Sequence, residues 1–181
     1  MTTVLLADDH AIVRRGFSMI LAAQPDFRIV AEVSNGREAV EQAEKLQPTL
    51  CVMDVSMPDL NGIEATRRML KVSPRTRVIA VSMHKDSVYV REILRAGAKG
   101  YVLKDSNESE FLKEVRAVSV GKGYLSPEIA ASKIDMPWSC GAALDGFQFG
   151  LEEILMDPRP GLRLGAPAEQ DRQDAGQCTG S

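Results

Sequence analysis

Three acidic residues, a serine and a lysine occupy comparable places in this sequence, each at the end of a short apolar run. Asp8 and Asp9 follow TVLLA, Asp54 sits near the end of TLCVMDV, Ser82 closes RVIAVS, and Lys104 follows GYVL. Three carboxylates brought together repel one another and raise each other's pKa unless a cation lies among them. An all-oxygen set of this kind suits Mg²⁺, a hard ion of roughly octahedral geometry that keeps some of its waters. A hydroxyl and an ammonium added to such a set make a site that handles a phosphoryl group. The metal and the lysine neutralise its oxygens, while a carboxylate attacks phosphorus in line.

The elements that would gather these residues are legible as alternating apolar runs and helix-period segments. Strands are predicted over 3–7, 27–33, 49–55, 77–82 and 100–103. Between them lie helical stretches. The first carries Ile12, Phe17, Ile20 and Leu21 near helical spacing, and the second carries Ala39, Val40, Ala43 and Leu46 and is stopped by Pro48. A third, NGIEATRRML, ends at Ser73-Pro74, and a fourth, SVYVREILRAG, closes on Gly97. The last, NESEFLKEVRAVSVG, turns Phe111, Leu112, Val115 and Val118 inward and ends at Gly121. Continuously apolar strands alternating with helices predict an α/β chain whose parallel sheet is covered on both faces. An open, doubly wound sheet carries its active groups at the carboxyl ends of the strands, where all five residues fall.

DVSMPDLNG (54–62) resembles the D-x-x-M-P-x-(M/L)-(D/N)-G loop of response-regulator receiver domains. ADDHAIVRRG, SMHKD, RAGAKGYVLKD and YLSP are similar to the NarL/FixJ (LuxR-type) transcriptional regulators in particular, and the likeness spans residues 1 to about 130. The resemblance implies a flavodoxin-like (CheY-like) (βα)5 sheet in the order 2-1-3-4-5. It also implies a role for each residue. Asp54 would accept a phosphoryl group from a sensor histidine kinase or a small phosphodonor. Asp9 would ligate Mg²⁺ directly, Asp8 would help through water, and the Ser56 backbone carbonyl would complete the protein ligands. Lys104 would pair with a phosphoryl oxygen, Ser82 would move to hydrogen-bond the new phosphate, and Tyr101 would rotate inward behind it. The charge change would bias the face formed by helix four, strand five and helix five. On this reading the chain is not an enzyme but a phosphoacceptor that assists its own phosphorylation and dephosphorylation.

Taken singly, each residue also has a plainer reading. An aspartate pair after a strand fits a solvated turn or helix cap. Lys104-Asp105 fits an exposed loop pair, Ser82 a strand end, and Tyr101 core or surface packing. His10 and His84 border the expected pocket, yet aspartyl phosphorylation needs neither, and both read as helix-start or loop residues. Cys51 reads as a small buried hydrophobe. Two rival functions share the topology. An aspartyl-nucleophile phosphatase would keep an acid two residues after its nucleophile, where this chain has Ser56. A flavin carrier would need a phosphate-cradling first loop, which Asp8-Asp9-His10 opposes.

Composition sets the remaining bounds. The 181 residues are 44% hydrophobic and hold three widely spaced cysteines, which suits a reduced, cytoplasmic protein. No apolar run approaches the roughly 18 residues of a membrane span, and MTTVLLADDH lacks the basic start of a leader. Residues 1–134 carry 19 Lys+Arg against 17 Asp+Glu, whereas 135–181 carry three Arg, no Lys and eight Asp+Glu. The expected layout is a receiver over 1–121, the start of a linker over 122–134, and an irregular, acidic, Gly/Pro-rich tail over 135–181. The tail is predicted to be disordered from Pro158 onward.

Regulators of this type continue into a basic helix-turn-helix, and nothing resembling one appears in 135–181. DNA is therefore not an expected partner. Three accounts of the tail stay open: a frame change in the gene, an evolved flexible tail, or an unfamiliar small domain around Trp138, Phe147 and Phe149. A receiver of this kind would dimerise on phosphorylation, act through protein contacts, or drain phosphate from its kinase.

Overall fold

The computed structural model describes residues 1–126, Ile129 and the backbone of 147–149. The elements run β1 (Thr2–Ala7), α1 (Ala11–Ala22), β2 (Phe27–Val33), α2 (Gly36–Leu46), β3 (Leu50–Asp54) and α3 (Gly62–Val72). They continue with β4 (Arg77–Ser82), α4 (Ser87–Arg95), β5 (Gly100–Leu103), α5 (Glu108–Ser119), β6 (Gly123–Leu125) and β7 (Phe147–Phe149). The strands form one sheet in the order β2-β1-β3-β4-β5-β6-β7, with every neighbouring pair parallel. This is the doubly wound, CheY-like order 2-1-3-4-5, carried two short strands further.

Alternation along each strand divides the core into two layers. Leu5, Ala7, Cys51, Met53, Val78, Ala80, Tyr101 and Leu103 face one side, where Ala39 and Ala43 of α2, Ala65 and Met69 of α3, and Val90 and Ile93 of α4 cover them. Val4, Leu6, Leu50, Val52, Ile79, Val81 and Val102 face the other, under Leu21 of α1 and Phe111, Val115 and Val118 of α5. Because both faces are apolar, the strands lack the polar alternation of a half-exposed sheet. The helices start where the sequence supplies an acceptor: Asn35, Asn61 and Asn107 each accept the N–H of a glutamate three residues on. Gly97 and Gly121 take positive φ just past the ends of α4 and α5.

Three observations differ from the sequence expectations. Ile12 is 89% exposed. It lies five residues before Phe17, a rotation of about 140° around the helix, so it shares a face with exposed Met19 rather than with the core. Leu46, the last residue of α2, is also exposed, because the chain leaves the helix there through left-handed Gln47. Finally, the sheet does not stop at β5. Gly123–Leu125, expected in the linker, pairs with β5 and alternates like the other strands, Tyr124 into one layer and Leu125 into the other. Phe147–Phe149, expected in the irregular tail, pairs in parallel with β6. A run of three residues is too short for its period to be read in sequence. The expectations for the rest of 135–181 lie outside the described residues. Among the described residues no helix is long and apolar enough to cross a membrane.

Candidate functional site

The carboxyl ends of β1, β3, β4 and β5 bring Asp8, Asp54, Ser82 and Lys104 to one edge of the sheet. Asp54 is the last residue of β3, paired with Val81 of β4, and is 1% exposed. The next turn is held by Val55 N–H donating to Val81 O at 3.1 Å and Gly62 N–H donating to Val55 O at 2.9 Å. Gly62 is required there, since a Cβ would stand 2.0 Å from the Asp54 carbonyl oxygen. Met57 is buried and pins the loop to the core, while Asp59 turns it with a φ of 64°. The MPDLNG motif is therefore a device for holding the backbone of Asp54 against the start of α3.

Lys104 follows β5, with its N–H on Ser82 O at 2.9 Å. Its side chain reaches across the end of β4 and is only 4% exposed. Nζ lies 2.7 Å from Asp54 Oδ2 and 2.8 Å from Asp8 Oδ2. A buried ammonium shared by two buried carboxylates is a strong, mutually dependent arrangement. Burial works to lower the Lys104 pKa, but its bonds to Asp54 and Asp8 outweigh this and hold it above the ordinary lysine value. For Asp54, burial and the neighbouring Asp8 charge outweigh the lysine and push the carboxyl above its usual range.

The remaining oxygens face a shared space. Asp54 Oδ1 accepts the Ser56 N–H at 3.1 Å, and Asp8 Oδ1 accepts the His10 N–H at 2.8 Å. Asp9 sits at the surface beside them, with Oδ1 2.8 Å from His10 Nδ1. One ligand atom from each of Asp8, Asp9, His10 and Asp54 falls within a span of 4.8 Å. Asp8 Oδ2 is buried, with Lys104 Nζ at 2.8 Å and no further polar partner among the described residues. Three carboxylates against one ammonium leave an excess of two negative charges. A hard divalent cation bound through oxygen answers both the charge and the spare oxygen, so the residues fit Mg²⁺.

His10 borders the pocket, as expected, with its side chain 64% exposed. It opens α1 as expected but makes no side-chain cap. Its ring Nδ1 stands 3.5 Å from Asp8 Oδ1 and 3.9 Å from Asp54 Oδ2, in addition to the Asp9 contact. The imidazole thus stands over all three carboxylates.

Ser82 and Tyr101 form a second group, tied to the β4–α4 loop. Ser82 is 1% exposed, and its Oγ accepts the His84 N–H at 3.1 Å. Tyr101 is fully buried, and its hydroxyl donates to the His84 carbonyl at 2.7 Å. Burial raises its pKa, and the Ser82 hydroxyl beside it opposes the rise. Tyr101 was expected to rotate inward with phosphorylation; here it already occupies the inward position. The His84 ring stacks on Tyr89 with centroids 5.4 Å apart, outside the acidic cluster. Cys51 is a buried free thiol in the middle of β3, and burial raises its pKa well above the usual thiol value.

Comparison with known proteins agrees with this geometry. Residues 4–116 match the response regulator receiver domain family. The transcriptional regulatory protein DegU of Brevibacillus brevis is 37% identical over 131 residues, covering 72% of this chain and 56% of DegU. A LuxR-family two-component response regulator from Aurantimonas sp. SI85-9A1 superposes with a TM-score of 0.69 at 34% identity, over 72% of this chain and 94% of that one. The signal receiver domain of the putative response regulator NarL from Mycobacterium tuberculosis gives 0.65 at 29% identity, over 67% and 98%. The chain spans 56 to 61% of the length of the first curated relatives it matches. With the family's residue pattern, its sheet order and its acidic pocket all present, the chain belongs to the response regulator receiver domains of two-component systems.

Proposed function

We propose that this chain is phosphorylated on Asp54. The observation that carries the reading is the Asp54 carboxylate, buried at the end of β3 with Lys104 Nζ at 2.7 Å and the Asp8–Asp9 pair beside it. One Asp54 oxygen forms a bond to phosphorus while the donor's bond breaks on the opposite side. With a phosphohistidine of a sensor kinase the imidazole leaves; with acetyl phosphate the acetate leaves. Lys104 pairs with a phosphoryl oxygen as it departs from two carboxylates towards the new dianion. Asp9 and Asp54 would ligate Mg²⁺, Asp8 would assist through water, and the Ser56 carbonyl would complete the protein ligands. Bound there, the ion supplies neutralisation of the phosphoryl oxygens.

The new charge would be sensed by Ser82. Its present partner is the His84 N–H, and Tyr101 holds the same loop through the His84 carbonyl. A shift of Ser82 towards phosphate therefore pulls on the start of α4, biasing the α4–β5–α5 face between two arrangements. The chain is a phosphoacceptor that takes part in its own phosphorylation and dephosphorylation, not a turnover enzyme. An aspartyl phosphatase is disfavoured by Ser56, a residue with no carboxyl to protonate a leaving group.

Transcription regulation is the role carried by the name of DegU, and this chain shares the receiver part of that role. Residues 135–181 carry three arginines and no lysine against eight acidic residues, a net negative charge that opposes a phosphate backbone, so DNA binding by this polypeptide is not proposed. Its output is instead contact with protein partners, a second copy included, or withdrawal of phosphate from its kinase. A cytoplasmic setting suits the reduced, buried Cys51. The test is incubation with acetyl phosphate, with and without Mg²⁺. Incorporation of an acid-stable, hydroxylamine-labile phosphate is expected only with the metal. Equal labelling after chelation would contradict the reading.

A further inference from the structure

At the opposite end of the sheet from Asp54, a cavity of about 750 Å³ opens beneath the starts of β3, β4 and β5. Its lining combines apolar Pro48, Leu70 and Pro74 with cationic Arg75 and Lys99. The basic residues of this end do not all have the same explanation. Lys45, Lys71, Arg95 and Arg116 lie in last helical turns, where a base stabilises the helix dipole. Arg77 donates to the Ser119 carbonyl at 2.8 Å and so caps the end of α5. Arg75 and Lys99 lie in the loops entering β4 and β5, outside any helix. Both are exposed, and among the described residues neither has a carboxylate partner.

The polar groups of the floor, by contrast, are consumed internally. Gln47 Nε2 donates to the carbonyls of Ala43, Glu44 and Val72 at 3.3, 3.0 and 3.1 Å. Those carbonyls end α2 and α3 and would otherwise repel an anion; the amide quiets them. Ser73 Oγ donates to Gln47 Oε1 at 3.0 Å, and Thr76 Oγ1 donates to Pro48 O at 2.6 Å. What the cavity leaves unanswered is therefore positive charge beside an apolar wall, on a floor braced by its own hydrogen bonds.

We infer that this cavity binds a phosphorylated small molecule of about mononucleotide size. Arg75 and Lys99 receive the phosphate, the arginine through its planar fork and the lysine as a point charge. The proline and leucine wall receives the organic body, and the volume falls in the range of small-molecule sites. The ligand touches the starts of β4 and β5, the two strands whose far ends present Ser82 and Lys104. The test is a titration of the full chain with adenosine 5′-monophosphate in Mg²⁺-free buffer, followed through backbone amide shifts. Saturable shifts are expected at Thr76, Arg77, Gly97 and Lys99, with adenosine and inorganic phosphate each binding more weakly. The double variant Arg75→Glu, Lys99→Glu changes two exposed side chains and is expected to keep the remaining spectrum while raising Kd about ten-fold or more. Shifts confined to Asp9, Ser56 and Lys104, an unchanged Kd in the variant, or adenosine binding as well as its phosphate would each overturn the inference.

Discussion

At the scale of single residues, two buried acids show opposite uses of the same chemistry. Asp54 is buried but provided for, with Lys104 and the Ser56 N–H on its oxygens, so that burial and the Asp8 charge are partly offset. Glu114, in the middle of α5, is fully buried, and among the described residues neither of its oxygens has a hydrogen-bond partner. Burial, reinforced by the nearby Glu110 charge, pushes its carboxyl up to about 9 from an ordinary 4.5. The folded chain then binds a proton that the unfolded chain releases throughout that interval. Stability is therefore expected to fall as pH rises from 4.5 towards 9, by at most about 1.4 kcal/mol per pH unit. Chemical denaturation of Glu114→Gln alongside the parent at pH 5 and pH 8 isolates this effect. The variant should lose much less stability between the two pH values, and parallel losses would show that Glu114 is not buried as described. The five residues first singled out were legible because each ends an apolar run. Glu114 was not, because an acid one position off a helix's apolar stripe looks solvated in sequence.

At the scale of elements, strong periods were read correctly and short or rotated ones were not. The five longer strands and five helices follow from runs long enough to show their period. β6 has only Gly123–Leu125, and its register is set by the open edge of β5 rather than by its own composition. Ile12 fell outside the core because apolar residues near helical spacing do not all share a face. Glycines separate the elements by function too. Gly62 allows α3 to approach the Asp54 carbonyl, whereas a Cβ on Gly16 in the middle of α1 would meet nothing within 4 Å. Gly62→Ala is expected to destabilise the chain by about 1–3 kcal/mol and to slow phosphorylation by displacing Asp54. Gly16→Ala is expected to stabilise it by about 0.5–1 kcal/mol and leave phosphorylation unchanged. Thermal melts with acetyl phosphate labelling of both variants check this pair, and a Gly62→Ala protein that melts and labels like the parent would contradict the loop's assigned role.

At the scale of the whole molecule, parallel β–α units send every strand's carboxyl end, and every helix's amino end, to one edge of the sheet. The cluster of Asp8, Asp9 and Asp54 lies at that edge and Arg75 and Lys99 at the other, so the phosphoacceptor pocket and the basic cavity occupy opposite ends of the sheet. The match to relatives runs through the receiver portion, and residues 135–181 bring net negative charge without lysine. Footprinting with promoter DNA should therefore show no protected site with this polypeptide at any salt concentration. A salt-sensitive, sequence-specific footprint would contradict the proposal that its output is protein contact.

Asp8, Asp9, His10 and Asp54 each place a ligand atom within 4.8 Å of the others, and of these four groups Asp54 is the one proposed to take the phosphate. Borohydride reduction of the acetyl phosphate-treated protein converts an aspartyl phosphate to homoserine, and peptide mass mapping then locates it. Homoserine at position 54 alone is the predicted result. Homoserine at position 8 or 9, or a phosphate retained on His10, would contradict the account.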